Sequence, residues 1–458
     1  MYIPKSIVHG ITWPAIGDAS AAQAMSMQYQ FEQTQWLAKK NILNLQLEQL
    51  SSLLTHAFRT TIFYNQFYKG KSFKPKRILT PERWADIPIV SRLEIQQAGD
   101  SLISNQLPNG HNMGGEITTS GSTGQPVVVR STQVTQHFWH AFTLRDHVWH
   151  QRNLKGKLCV IKKANSNQGL PPNGTSIKGW GFSTDVVYKT GSSHLLSIAA
   201  SIDEQLDWLQ KINPTYILSY PSNLELLAAT AQQRDIKFSE LQQIRSLGEV
   251  VTERTRQMCR DAFNVSLVDN YSCQEAGYLA LQCPEHDHYH VQSENVMLEV
   301  LDENDNPCKP GETGRVVITS LHNYATPLIR YELGDFAELG EPCDCGRGLP
   351  VITKILGRRR NMLSLPDGRK IWPLVGSDDY RDVADIKQFQ LVQTDLDSVT
   401  VNLVVAGALS KTQEASLTTI IQRSLQYPFK LSYQYLDEIQ RSKGSKFEDF
   451  VSMLKEPD

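Results

Sequence analysis

The chain has 458 residues, with 46 lysines and arginines against 48 aspartates and glutamates, for a formal charge of −2. An apolar content of 40% with 21% charged residues is that of a folded globular protein and excludes a disordered one. The near-neutral balance excludes a protein held on nucleic acid mainly through phosphate contacts. At about 100–200 residues per domain, the length predicts two to four domains. The N-terminal residues lack the charged-then-apolar pattern of a signal peptide, and no apolar stretch approaches the ~20 residues that cross a bilayer. Seven cysteines in so long a chain fit a reducing, cytoplasmic compartment better than a disulfide framework.

Residues 21–68 read as one or two long helices, with Leu43, Leu45, Leu47, Leu50, Leu53 and Leu54 at helical spacing and a break near 59–61, where β-branched residues cluster. Pro75, Pro81 and Pro88 mark a loop-rich connection. A glycine-rich turn over 114–126 leads into the short strand Val127-Val128-Val129. From about 130 to 280, strands at 157–161, 215–218, 244–247 and 265–269 alternate with helices at 195–212, 223–233 and 252–263, which predicts a largely parallel α/β sheet. After Cys283, short strands at 295–300, 314–319 and 337–339 lie between Gly, Pro and Asn turns, as in an antiparallel sheet. Beyond Gly357 come a strand at 399–405, a helix at 411–426 and a strand at 430–435. The predicted fold class is therefore α/β, with a large multi-layer N-terminal domain (1–357), containing parallel sheets and a β subdomain, and a small mobile C-terminal α/β domain (358–458).

Five segments carry candidate chemistry. Thr118-Thr119-Ser120-Gly121-Ser122-Thr123-Gly124-Gln125-Pro126 combines hydroxyl donors with two glycines that let backbone N–H groups approach an anion. It lacks the Gly-Lys-Ser/Thr of a Walker A loop, and a polar surface turn is the plainer alternative. Asn270-Tyr271-Ser272-Cys273-Gln274-Glu275 follows the strand at 265–269, where ligands bind in open α/β sheets. A carboxylate there offers the hard oxygen that Mg²⁺ prefers, although an acid starting a helix fits Glu275 equally. In Ile329-Arg330-Tyr331-Glu332-Leu333-Gly334-Asp335, the aspartate after a glycine turn suits two ribose hydroxyls, with Arg330 near phosphate. Gly357-Arg358 lies at the domain junction, and Lys443-Gly444-Ser445-Lys446-Phe447 places a lysine on a glycine-containing loop. Hairpin turns and solvated basic loops are the alternatives for these last segments.

In this order, and together with Tyr220-Pro221-Ser222, Gly248-Glu249, Asn323 to Asp335 and Cys343-Asp344-Cys345-Gly346-Arg347, the segments resemble the adenylate-forming superfamily, specifically its phenylacetate–CoA ligase-like branch. The resemblance runs from about residue 30 to near the end. It implies activation of a small-molecule carboxylic acid with ATP and Mg²⁺, giving an acyl-adenylate and pyrophosphate, followed by rotation of the C-terminal domain and transfer to coenzyme A. Carried over, Ser120, Gly121, Ser122, Thr123 and Gly124 would cradle the triphosphate, and Glu275 would hold Mg²⁺. Gly248, Glu249, Asn270, Tyr271 and Ser272 would line the adenine and acyl-phosphate. Asp335 would bind the ribose, with Arg358 beside it, and Lys446 would bridge the substrate carboxylate and the α-phosphate.

Two departures stand out. Gln125 occupies a position that is lysine in many relatives, and Arg359-Arg360-Asn361 stands where the hinge usually carries an acid. Transfer to an amine or a carrier-protein thiol is therefore the alternative to coenzyme A, and a catalytically silent nucleotide-binding protein is a further one. A carrier protein or a second copy of the chain are the macromolecular partners in view; nucleic acid and membrane are not. The acid is expected to be aromatic by resemblance, with His137-Phe138-Trp139-His140, Phe142 and Trp149, or Tyr216, Tyr220 and Tyr278, as candidate lining or simply as core. Cys283, Cys343 and Cys345 with one imidazole would make a closed, structural Zn²⁺ site. The resemblance selects His290 as the fourth ligand, leaving His286 and His288 open, and free cysteines in turns are the alternative.

Overall fold

The computed structural model describes residues 4–75, 79–118, 127–165, 167–358, 362–371, 373, 383–405, 407–439 and 448–454. Asp18 caps α1 (Ala19–Thr34) by accepting from the Ala21 amide at 2.8 Å. In α2 (Lys39–Thr60), Leu47, Leu50, Leu53, Leu54 and Ala57 form one buried stripe. Thr61 both ends α2 and caps α3 (Ile62–Gly70), accepting from the Tyr64 amide at 3.2 Å, so the expected break is a change of helix at one residue. The proline-rich connection holds two short helices, α4 (Pro81–Trp84) and α5 (Arg92–Ala98). The second begins in a capping box between Ser91 and Glu94.

The hairpin β1 (Met113–Thr118) and β2 (Val128–Thr132) is antiparallel, with Thr118 opposite Val128. Gly114 and Gly115, expected within a turn, lie instead in β1. After α6 (Gln133–Trp149) come β3 (Leu158–Lys162), β4 (Thr175–Ile177), α7 (Phe182–Asp185), β5 (Ser193–Ser197), α8 (Ile202–Ile212), β6 (Tyr216–Ser219), α9 (Pro221–Gln233), β7 (Gln243–Ser246), α10 (Glu253–Phe263) and β8 (Ser266–Val268). They build a six-stranded sheet in the order β4-β5-β3-β6-β7-β8, parallel except for β4. The helix expected over 195–212 is divided: Leu195 and Leu196 pair with Val160 and Ile161 as strand, and Ser201 starts α8 with its own capping box to Glu204. A strand buried between neighbours reads as an apolar run, which periodicity does not separate from helix.

A seven-stranded antiparallel sheet follows, formed by β9 (Asn270–Cys273), β10 (Gly277–Gln282), β11 (Tyr289–Val291), β12 (Val296–Leu301), β13 (Thr313–Ser320), β14 (Tyr331–Leu339) and β15 (Val351–Arg358). Its order is β12-β13-β14-β15-β11-β10-β9. Its buried face shares one core with the leucine stripe of α2 and with Tyr64 and Tyr68 of α3. Beyond it, β16 (Leu363–Ser364) pairs with β17 (Lys370–Ile371). The strands β18 (Ile386–Asp395), β19 (Ser398–Val405), β20 (Lys430–Tyr435) and β21 (Phe450–Ser452), with α11 (Lys411–Ser424), form a four-stranded unit in the order β20-β19-β18-β21. Leu391, Leu403, Leu417, Ile421, Phe429 and Phe450 belong to its separate core. The strand β18 escapes the sequence reading because glutamines alternate with Phe389 and Leu391 along it. Among the described residues, no helix is long and apolar enough to cross a membrane.

Candidate active site and cysteine–histidine cluster

The carboxyl ends of β6, β7 and β8 meet the start of the antiparallel sheet. Past β7, Gly248 turns the chain at φ +76°, where a side chain would be strained, and Glu249 accepts from the Ser222 amide at 3.0 Å. That amide belongs to the first turn of α9, so Glu249 sits at a positive helix end. Between β8 and β9, the buried Asp269 accepts from the Ser246 hydroxyl at 2.5 Å and the Tyr289 hydroxyl at 2.8 Å. Burial pushes its carboxyl above the usual range despite these donors. Asn270 donates to the Ser246 carbonyl at 3.4 Å, which ties the two candidate loops together.

The Tyr271 hydroxyl donates to Asp335 Oδ2 at 2.8 Å. Asp335 does not follow a strand and a turn, as expected, but lies inside β14. There, Gly334 at φ +86° and a register shift between Arg315 and Val317 of the partner strand create a bulge. Bulges re-aim side chains, and this one accompanies the carboxylate that meets Tyr271. The backbone of Arg358 lies opposite Asp335 in the β14–β15 register. Arg330, expected near phosphate, is instead buried: it pairs with Glu299 at 3.0 and 3.1 Å and donates to the Ala85 and Ile87 carbonyls.

Glu275 does not begin a helix. It sits buried in the turn joining β9 and β10, and its Oε1 is 3.2 Å from Arg92 Nη1. The same nitrogen donates to the Tyr331 hydroxyl at 2.8 Å. Burial works against the Arg92 charge, but Tyr331, Glu275 and Asp335 outweigh it and raise the pKa of the guanidinium above its ordinary value. The candidate residues Ser120, Gly121, Ser122, Thr123, Gly124 and Lys446, and the side chain of Arg358, lie outside the described residues.

A second cluster lies where β10, β11 and the β14–β15 loop converge. One ligand atom from each of Cys283, His288, His290 and Cys343 falls within 4.8 Å of the others. The Cys283 and Cys343 sulfurs are 4.0 Å apart, and Cys345 Sγ is 3.4 Å from His290 Nε2. The other ring nitrogen of His290 faces the Leu349 carbonyl at 3.5 Å, and His288 Nε2 is buried without a hydrogen-bond partner among the described residues. Burial, with His288 beside it, pushes His290 down to about 3. Burial and the neighbouring thiols push Cys343 up to about 12. Neutral imidazoles and crowded thiols with an orphaned ring nitrogen have the chemistry of a soft tetrahedral cation site. Of the sequence-based set, Cys283, His290 and Cys343 are thus brought together, with His288 in the group in place of Cys345, whose sulfur contacts His290.

The CapK C-terminal domain family matches residues 363–452. Phenylacetate-coenzyme A ligase of Thermus thermophilus is 24% identical over 366 residues, covering 76% of each chain. Protein CapK of Staphylococcus aureus is 21% identical over 438 residues, 91% of this chain and 90% of that one. The crystal structure of 2-hydroxyisobutyryl-CoA ligase in the postadenylation state, in complex with 2-HIB-AMP, aligns with a TM-score of 0.68 at 17% identity, over 89% of this chain and 88% of that one. The chain is thus similar in sequence to phenylacetate-coenzyme A ligases and to protein CapK, and it has the fold of an adenylate-forming CoA ligase.

Sequence reading does not find Arg92, Tyr331 and His288 as members of these clusters. Arg92 lies 183 positions before Glu275, so no local spacing links them. The one available signal was the capping box at Ser91, which fixes where Arg92 leaves the chain. His288 was visible as one of three neighbouring histidines, and only the pairing of β11 with β10 and β15 separates them.

Proposed function

We propose that the chain is an ATP-dependent acid–thiol ligase that converts a carboxylic acid to its acyl-adenylate and passes the acyl group to coenzyme A. The observation that carries this reading is the meeting of Tyr271, Asp335, Glu275 and Arg92 at the sheet junction. It brings the two carboxylates that the family resemblance assigns to ribose and Mg²⁺ together with one guanidinium that the resemblance does not assign. Asp335, oriented by Tyr271, would accept from the ribose hydroxyls. Gly248, Glu249, Asn270, Tyr271 and Ser272 would line the adenine and acyl-phosphate, and Ser120 to Gly124 would donate to the triphosphate. Glu275 is the residue that would hold Mg²⁺, which when bound supplies positive charge to the phosphate oxygens.

The reaction joins two anions, so it needs alignment and charge neutralisation rather than a general base. The substrate carboxylate is already ionised at neutral pH. Its oxygen attacks the α-phosphorus while the bond to the β-phosphate breaks, and pyrophosphate leaves with the electron pair. Lys446 would bridge the attacking carboxylate and the α-phosphate, and Arg358 would stand beside the ribose. We further assign residues 1–357 to the adenylating domain and 358–458 to a domain that rotates between half-reactions. The substrate is proposed to be an aromatic acid, and the cysteine–histidine cluster to hold a structural Zn²⁺.

The run Arg359-Arg360-Asn361, in place of the usual hinge acid, favours a second reading in which an amine or a carrier-protein thiol accepts the acyl group. Mass spectrometry of products made from ATP and a panel of aromatic acids, with coenzyme A and then with amines, tests both. Acyl-CoA formation is expected. Adenylate that accumulates with coenzyme A but is consumed by an amine would replace the thiol with the nitrogen acceptor.

A further inference from the structure

Arg92 links three elements at the sheet junction: α5, the β9–β10 turn and β14. It stands at the first position of α5, and the segment before it is fixed to β14: the Val90 amide donates to the Arg330 carbonyl at 2.8 Å, and the Glu332 amide donates to the Val90 carbonyl at 2.9 Å. Val90 also bridges to Tyr331. The backbone thus delivers the guanidinium to one place from two sides, and the capping box at Ser91 sets the direction in which it leaves. Its Nη1 serves two acceptors at once, Glu275 Oε1 at 3.2 Å and the Tyr331 hydroxyl at 2.8 Å, with the Asp335 charge also acting on it. The Arg92 side chain keeps 15% of its surface exposed, against 4% for Glu275.

The partner it holds is the carboxylate proposed above for Mg²⁺. A buried carboxylate needs a counter-charge, and before nucleotide arrives Arg92 is that charge. A divalent cation on that carboxylate would place a second positive charge beside the guanidinium and repel it. We propose that Arg92 changes partners: it neutralises Glu275 in the empty site, yields that carboxylate to the metal that enters with the nucleotide, and then pairs with the pyrophosphate that leaves. This rests on the adenylation reading of the site. The planar fork of an arginine suits a phosphate oxygen pair as well as it suits a carboxylate. Chemically, the step is unchanged: the O–Pα bond forms, the Pα–O bond to the β-phosphate breaks, and the departing oxygen's electron pair is met by a cation that needs no proton transfer.

The test is calorimetric titration of the full chain with Mg·pyrophosphate and, separately, with AMP, which lacks the leaving group. A hydrogen bond to a charged group contributes about 1.5–3 kcal/mol, so Arg92→Gln should weaken Mg·pyrophosphate binding about tenfold or more and leave AMP binding within about twofold of wild type. Arg92→Lys keeps the charge without the fork and should fall between the two. It carries the test if Arg92→Gln does not fold, with a loss of about threefold or more for Mg·pyrophosphate and none for AMP. Equal Mg·pyrophosphate affinity in the variants and wild type, or an equal loss for AMP and pyrophosphate, overturns the exchange of partners. Wild-type protein that binds neither Mg·ATP nor Mg·pyrophosphate would instead sink the adenylation reading itself.

Discussion

Asp146 of α6 is the anchor of a buried charge network. Its Oδ2 is 2.7 Å from Arg152 Nη1 and 2.6 Å from Arg245 Nη2, and His150 Nε2 lies 3.8 Å from Oδ1. The two arginine side chains are only 1% and 8% exposed. Arg245 lies on β7 beside Ser246, whose hydroxyl fixes Asp269 at the start of the proposed nucleotide site. Asp146→Asn keeps the shape and removes the charge, leaving two guanidiniums buried without it. Breaking one buried pair costs about 3–5 kcal/mol. Because both arginines share a single carboxylate, we expect a total in that range rather than twice it.

Burial alone would raise the Asp146 pKa, but Arg152 and Arg245 outweigh it and hold the carboxyl far below the usual range. A depressed carboxylate contributes stability that is present above its unfolded value near 3.9 and is lost as pH falls toward the folded value. The penalty of Asp146→Asn should therefore be constant between about pH 5 and 8. Urea unfolding followed by tryptophan fluorescence, with the slopes compared as well as the midpoints, measures it. Replacing Arg152 and Arg245 by Met in the same variant should recover part of the loss, since an apolar substitute removes the unpaired charges. A penalty below about 1 kcal/mol, or one that changes across pH 5–8, would refute the argument.

The cysteine–histidine cluster predicts about one zinc per chain in purified protein, falling below about half in Cys283→Ser together with a lowered melting temperature; plasma emission spectrometry and calorimetry read both. Lys446→Ala should reduce adenylation by orders of magnitude while leaving ATP binding nearly intact, so undiminished pyrophosphate release would remove the lysine from its role. Burial pushes His150 and His322 down to about 4. Bases with folded values below the unfolded 6.5 take up protons more readily when unfolded, so their stability is intact above about pH 6.5 and declines toward pH 4. The slope is about 1.4 kcal/mol per pH unit for each. His322→Gln should lower the overall slope by about 1.4 kcal/mol per pH unit in urea titrations at pH 7, 6 and 5, and an unchanged slope would count against the burial argument.

Local chemistry was legible in the sequence wherever one residue decides the structure. Thr61 ends one helix and caps the next, and the alternation from β6 to β8 follows from apolar strands of three or four residues and helices of 13 and 11 residues. Legibility failed where the decision is made across the chain. Leu195 and Leu196 are strand only because β3 lies alongside, and Asp335 is inside a strand only because Gly334 accommodates a bulge against β13. Arg330 looked like a phosphate ligand from its neighbours, and Glu299 on another strand claims it. Tyr271 and Asp335 were each named as nucleotide residues, but their hydrogen bond spans 64 positions, and the Arg92 contact spans more. Pair chemistry at such separations is set by sheet order, which local patterns do not encode.

The claim that this chain activates an acid by adenylation is tested most directly by acid-dependent exchange of labelled pyrophosphate into ATP, run over a panel of aromatic carboxylic acids. The account predicts exchange with at least one acid, dependence on Mg²⁺, and near-complete loss in Lys446→Ala. Binding of ATP without exchange for any acid on the panel would contradict it and leave a nucleotide-binding protein that performs no adenylation.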